Sequence, residues 1–136
     1  MQHRMGRGDL LDVAGRLAEP GWATGEVKRY DRAAIRASGW RIKEWDYYCI
    51  LTDDHALALT IADNGYLGFL GLAWMDLRAG TAINHGAIRP FPFGRMAMPG
   101  SAEAGDIDQQ RGDTHIAFRH EPGAQRLSFS APGFDG

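Results

Sequence analysis

The chain has 136 residues, and its 15 Lys and Arg against 17 Asp and Glu leave a nearly balanced net charge of −2. This length suits one domain with a single core, and the absence of a basic block argues against a nucleic-acid partner. The amino-terminal residues have no apolar segment, and no run reaches the ~20 apolar residues of a membrane helix. We therefore expect residues 1–136 to form a single cytoplasmic domain without a membrane span.

Before residue 40 the sequence predicts only short elements. Residues 26–30 suit a short strand. Residues 31–37, DRAAIRA, predict the one short helix of the chain, about two turns long, because Asp31 can cap it and alanines follow.

Residues 41–77 predict three consecutive antiparallel strands joined by tight turns. The second turn contains Asn64-Gly65, the strongest short hairpin signal, and Thr52-Asp53-Asp54 marks the first turn. Between them, bulky and small residues alternate over 55–62, which is the period of a strand. The third run, 65–77, is apolar at both alternating sets of positions, so we expect it to be covered on both faces.

The first of these strands mixes charges with aromatic side chains. Alternation places Glu44 and Asp46 on one face, and Lys43, Trp45 and Cys49 on the other. Since buried charges are costly unless paired, we expect the charged residues to find partners on adjacent strands or to line a polar cavity. Cys49 is the only cysteine and lies in an apolar strand, so it is interpreted as a buried thiol.

Beyond residue 80 the pattern predicts a more irregular strand, a loop and a hairpin. Two prolines within 81–98 indicate an edge strand, a bulge or an extended crossing. The polar stretch 100–112 predicts a loop, and 113–120 with 125–130 alternate as a hairpin with one wet face. The chain ends directly after this strand, so we expect it to be the amino-terminal part of a longer protein.

Several short motifs resemble one known family. Residues 15–17 (GRL), 21–22 (GW), 30–32 (YDR) and above all 41–48 (RIKEWDYY) resemble domain of unknown function 2804. This resemblance implies a β fold in a chain longer than 136 residues. The family is itself distantly similar to lipocalin-like β-barrel proteins that include carotenoid hydratases, so we expect a mainly β domain with a partial or complete barrel. It brings no catalytic residues to carry over.

Glu44 and Asp46 are the candidate catalytic residues. Two positions apart on a strand, their Cα atoms lie roughly 6.5–7 Å apart, since each residue rises ~3.3 Å. Paired carboxylates can divide general-acid and general-base roles if their environments separate their pKa values. Addition of water to an isoprenoid double bond would need an acid of that kind in a dry pocket, and an enzyme of this type is one hypothesis for the chain.

The leading hypothesis is binding of an apolar small molecule, a lipid or isoprenoid, in a β-barrel cavity. Its candidate binding residues are Lys43, Trp45, Tyr47 and Trp74, with Phe69 and Leu72 also facing the cavity. Plain core packing is the alternative for these apolar side chains.

A third hypothesis is a carbohydrate-binding module. In it Trp22, Trp40 or Trp45 would serve as stacking platforms.

Metal and nucleotide motifs are missing from the sequence. His115 and His120 fall on opposite faces of one strand, and the other histidines are scattered with no cysteine pair to join them. There is neither a phosphate-binding glycine loop before a helix nor a Gly-x-Ser-x-Gly motif. We therefore predict no metal and no cofactor.

Overall fold

The computed structural model describes residues 2–134, which form nine strands and one short 3₁₀ turn. The strands are β1 Gly8–Asp9, β2 Lys28–Arg29, β3 Glu44–Leu51, β4 His55–Asp63, β5 Leu67–Asp76, β6 Thr81–Pro90, β7 Ile107–Arg111, β8 Thr114–Glu121 and β9 Ala124–Ser130. β1 and β2 pair in parallel, and every other strand pair is antiparallel. The prediction of a mainly β chain with antiparallel sheets is confirmed.

β3 to β6 form a four-stranded antiparallel sheet in chain order. The three strands and two turns predicted within 41–77 are confirmed, and Gly65 takes the positive φ of 76° that the second turn requires. β6 lies at the edge of the sheet and ends at Pro90, where a missing N–H costs no ladder hydrogen bond.

β7, β8 and β9 form a separate three-stranded sheet. The hairpin of β8 and β9 is confirmed. The loop predicted over 100–112 is wrong in its second half, where β7 pairs with β8. Only Ile107 of β7 is buried, so this polar strand has no apolar alternation by which the sequence could reveal it. Backbone hydrogen bonds to β8 hold it in the sheet.

The core lies between the two larger sheets. β4 and β5 contribute Leu59 and Ile61 with their neighbours, and β8 contributes Ile116 and Phe118. The Tyr48 ring meets the Phe118 ring edge-on, with 4.7 Å between their centroids. Side chains fill this interior, and no sheet among the described strands closes on itself, so the predicted barrel is not confirmed.

The opposite face of the four-stranded sheet, which we call the outer face, carries no charged side chain. It consists of Trp45, Tyr47, Cys49, Leu51, Ala56, Ala58, Thr60, Ala62, Leu67, Phe69, Gly71, Ala73, Met75, Ala82, Asn84, Gly86, Ile88 and Pro90. Two predictions fail here. β5 is covered by another sheet on one face only, and Cys49 is exposed rather than buried, because none of the described strands packs on the outer face.

The predicted helix over 31–37 is also wrong in length. It is a single 3₁₀ turn, Arg32–Ala34, although Asp31 caps it as expected by accepting a hydrogen bond from the Ala33 N–H. This turn ends at Ile35 and buries no residue, so it lacks the tertiary packing that stabilises most helices.

Candidate functional site

A cleft of about 460 Å³ opens beside the start of β3. Its lining residues come from three parts of the chain: Glu26, Tyr30, Lys43, Glu44, Trp45, Asp46, Met98, Pro99, Gly100, Ser101 and Ala102. Four of the six predicted site residues, Lys43 to Asp46, therefore meet in one place. The segment 98–102, which the sequence placed at the end of the proline-containing stretch and in the first part of the predicted loop, forms the facing wall.

Hydrogen bonds hold that wall against the rest of the molecule. The Ser101 hydroxyl and the Ala102 N–H both donate to the Glu26 carboxylate, over 2.9 and 3.2 Å. The His120 ring nitrogen Nε2 lies 3.1 Å from the Ala102 carbonyl oxygen. The Met98 side chain packs against the core. The wall thus has both a polar and an apolar anchor.

Glu44 is buried and both of its carboxylate oxygens are occupied. The Tyr30 hydroxyl donates to Oε1 and the Arg32 Nε donates to Oε2, each over 2.5 Å. The pKa of Tyr30 is raised mainly by burial and secondly by its hydrogen bond to Glu44. The pKa of Arg32 is raised mainly by its own hydrogen bond to Glu44. Tyr30 therefore stays a hydrogen-bond donor and Arg32 stays a cation. Glu44 acts as an anchor between elements and is not a free carboxylate.

Asp63 lies directly opposite Glu44 on β4 and is fully buried. Its carboxylate accepts hydrogen bonds from the N–H groups of Gly65 and Gly94, over 2.9 and 2.7 Å. Two carboxylates therefore face the Arg32 guanidinium, whose pKa both of them raise. Sequence reasoning missed Arg32 and Asp63 as site residues, because Arg32 fell in the predicted helix and Asp63 directly precedes the Asn64-Gly65 turn.

Asp46 differs from Glu44 in having a free carboxyl group. Among residues 2–134 its side chain makes no hydrogen bond or ion pair, and it is half-buried. Burial raises its pKa, and the positive charge of a protonated His120 opposes that shift. The two predicted carboxylates thus have unequal environments, and Asp46 is the polar group that a ligand in the cleft can reach.

The other predicted binding residues lie elsewhere. Tyr47 and Phe69 belong to the outer face. Leu72 belongs to the core, and Trp74 lies at the far end of the inner face, where its ring stacks on His55 with 5.0 Å between centroids. The six side chains named for the barrel cavity do not surround a common space, since they divide between two faces of one sheet.

The three tryptophans of the carbohydrate hypothesis occupy three different environments. The Arg4 guanidinium lies 5.6 Å from the centroid of the Trp22 ring. Trp40 packs edge-on against Phe93 at 5.0 Å, and Trp45 belongs to the outer face. No common stacking platform forms from these rings, and carbohydrate binding stays an untested prediction.

The described part of the chain was also searched for metal sites and membrane helices. Within residues 2–134, no three His, Cys, Asp or Glu side chains lie close enough together to hold a metal ion. None of the helical segments in the same range has the length and apolar character needed to cross a bilayer.

Residues 2–134 are mainly β, with two facing antiparallel sheets and a carboxyl-bearing cleft at the start of β3. The chain belongs to the family described as domain of unknown function DUF2804, whose sequence pattern matches residues 2–136. Comparison with curated proteins and with solved structures found no significant match to either.

Proposed function

We propose that this protein binds a small, largely apolar molecule in the cleft beside β3, with a hydroxyl or similar group of the ligand bonded to Asp46. The observation that carries the proposal is a half-buried carboxyl group without a protein partner among the described residues, set in a cleft of about 460 Å³. Small-molecule sites commonly have volumes of roughly 300–1,000 Å³ and few polar groups.

The chemistry of the walls supports an apolar ligand. Met98, Pro99 and Trp45 offer apolar surface, and Gly100 leaves the middle of the wall open. The raised pKa of Asp46 means that water solvates this carboxyl poorly. A ligand hydroxyl would restore the missing hydrogen bond, while an apolar body would cover the walls.

The test uses Nile red, a neutral apolar dye, with variants that fill or spare the cleft. Gly100→Trp places an indole in the cleft, and we expect it to weaken dye binding about tenfold or more, which corresponds to ~1.4 kcal/mol. The matched control is Gly6→Trp, where an added Cβ meets nothing within 4 Å. Equal dye affinity in both variants would remove the cleft from consideration.

Tyr47→Ala is the control for dye binding on the outer face. This side chain lies outside the cleft, so its removal should leave the affinity for Nile red unchanged. Native mass spectrometry of the protein purified from its own cells would then identify a bound molecule by its mass.

A second candidate function is acid catalysis on such a molecule, favoured by the raised pKa of Asp46. Protonated Asp46 would transfer its proton to one carbon of a ligand double bond. Water would add to the other carbon, and the proton lost from that water would return to the Asp46 carboxylate, completing a hydration. Glu44, held by Tyr30 and Arg32, would keep the strand in position.

Asp46→Asn separates the two functions, because the amide keeps hydrogen-bonding capacity but has no proton to transfer. For a binding protein, we expect the variant to keep ligand affinity within a few-fold. For an enzyme, we expect binding to persist while turnover of an isoprenoid alkene falls by ~10² or more. Normal turnover by Asp46→Asn would rule out this role for Asp46.

A further inference from the structure

We propose that β3 is a dimerisation edge, where the four-stranded sheet of one chain pairs antiparallel with the same sheet of a second copy. β3 is the first strand in the order β3-β4-β5-β6, so one of its sides has no partner strand. The proposal does not rest on the cleft ligand, although Trp45 belongs both to this edge and to the cleft.

The backbone groups on this free side can be assigned from the ladder. The Thr52 N–H bonds to the His55 carbonyl, so even-numbered residues of β3 direct their N–H and C=O groups toward β4. Trp45, Tyr47 and the other odd-numbered residues therefore direct theirs toward the free edge. Among residues 2–134 no hydrogen bond reaches those backbone groups. An exposed row of this kind is a template for another strand.

β3 also has few of the features that protect an edge from pairing. Residues 44–51 contain no Lys, Pro or Gly, and their register with β4 is continuous, without a bulge. One protecting feature is present, since the charged residues Glu44 and Asp46 point inward, although Arg32 pairs with Glu44. The side chains beside the free edge are aromatic or apolar, and Trp45 and Leu51 are 63% and 68% exposed.

The edge of β6 on the other side of this sheet is protected. β6 ends in Arg89 and Pro90, and side chains from β7 and β6 bridge its carboxyl-terminal half. The Arg111 Nε donates to the Ile88 carbonyl over 3.1 Å, and Arg89 donates to the Gln110 carbonyl over 3.2 Å. Within residues 2–134, β3 is therefore the edge of this sheet whose outward backbone groups have no hydrogen-bonded partner along the strand.

Symmetry and charge favour an antiparallel pair with the two-fold axis at Tyr48. Trp45 then faces Leu51 of the second copy, and Tyr47 faces Cys49 of the second copy. With four outward-directed residues in each chain, about eight backbone hydrogen bonds would form across the interface. Glu44 is far from its symmetry mate in this register. A parallel pair would set Glu44 against its own copy and likewise Asp46, which is unpaired within residues 2–134, and like charges directly opposite are destabilising.

The first test compares Cys49→Pro with Cys49→Ala by sedimentation equilibrium. Both substitutions remove the thiol, but only proline removes the outward N–H, which an edge strand tolerates. We expect the unmodified chain and Cys49→Ala to show twice the 15.0 kDa chain mass, and Cys49→Pro to show the single mass with an unchanged circular dichroism spectrum. A single mass for the unmodified chain at all concentrations would overturn the proposal.

The second test is a cross-link that does not depend on the proline variant. Tyr47→Cys would face Cys49 of the second copy with Cα atoms ~5.5 Å apart, within disulfide range. Ile88→Cys on β6 is the matched control, since Ile88 and Tyr47 are each 54% exposed on the outer face. We expect a covalent dimer on mild oxidation of Tyr47→Cys alone. Equal cross-linking of both variants, or none of either, would overturn the proposal.

Discussion

Replacing Asp63 by alanine tests whether buried carboxylate bonds hold the β4–β5 turn to the loop that follows β6. Asp63 is fully buried and accepts close N–H groups from Gly65 and Gly94 over 2.9 and 2.7 Å, and a longer one from Met96 over 3.4 Å. Hydrogen bonds to a charged group contribute about 1.5 kcal/mol or more each. Asp63→Ala should therefore lower the free energy of unfolding by roughly 3 kcal/mol, since the N–H groups of Gly65, which is buried, and Gly94, which is half-buried, lose their charged acceptor.

The chain contains a matched control for this experiment. The Asp76 carboxylate also accepts two backbone N–H groups, from Arg78 and Ala79, over 2.9 and 2.8 Å, but in an exposed turn. Water can replace those bonds, so Asp76→Ala should cost under ~1 kcal/mol. Urea unfolding followed by tryptophan fluorescence measures both values. Equal losses for Asp63→Ala and Asp76→Ala would refute the reasoning from burial.

Three further predictions concern charge. Arg32→Met should cost about 2 kcal/mol in urea unfolding, because it leaves Glu44 buried without its cation, and adding Glu44→Gln should recover part of that loss. Burial raises the pKa of Asp46 above its ordinary 3.8. Between pH 3.8 and the raised pKa, the folded chain therefore binds more protons than the unfolded chain. The free energy of unfolding should fall as the pH rises through this range. Asp46→Asn should flatten this slope, and an unchanged slope would contradict the assignment. A hydrogen bond from Lys28, and a weaker effect of one from His3, lower the pKa of Glu19 from 4.5 to about 2. Ionised Glu19 therefore stabilises the fold above pH 4.5, and this stabilisation is lost as the pH falls from 4.5 to about 2. In Glu19→Gln, we expect the urea midpoint of unfolding to fall less than in the unmodified chain as the pH is lowered from 4.5 to about 2.

Local signals predicted the central sheet well. The alternation over 55–62 and the Asn64-Gly65 turn act within a few residues, and the structure confirms both. The same reasoning failed for β7, because its polar residues have no apolar period to detect. It also failed for Cys49, since an apolar strand does not reveal whether anything packs on its second face.

The candidate site was predicted only in part. The consecutive residues 43–46 were named from sequence, and they do line one cleft. Tyr47 and Trp74 were grouped with them, yet they lie on opposite faces of the sheet. Strand register decides this grouping, because a shift of one residue moves every side chain of a strand to the other face.

The sequence by itself determined the β class, the main strand positions and the family. These follow from side-chain periodicity and turn chemistry, which depend on neighbours along the chain. Only the tertiary structure decided that Arg32 and Tyr30 hold Glu44, that Asp46 is left free, and that segment 98–102 forms the facing wall of the cleft. Those contacts join residues far apart in sequence. Many residues of the same chemical type could have formed them, and the packing of the sheets decides which ones do.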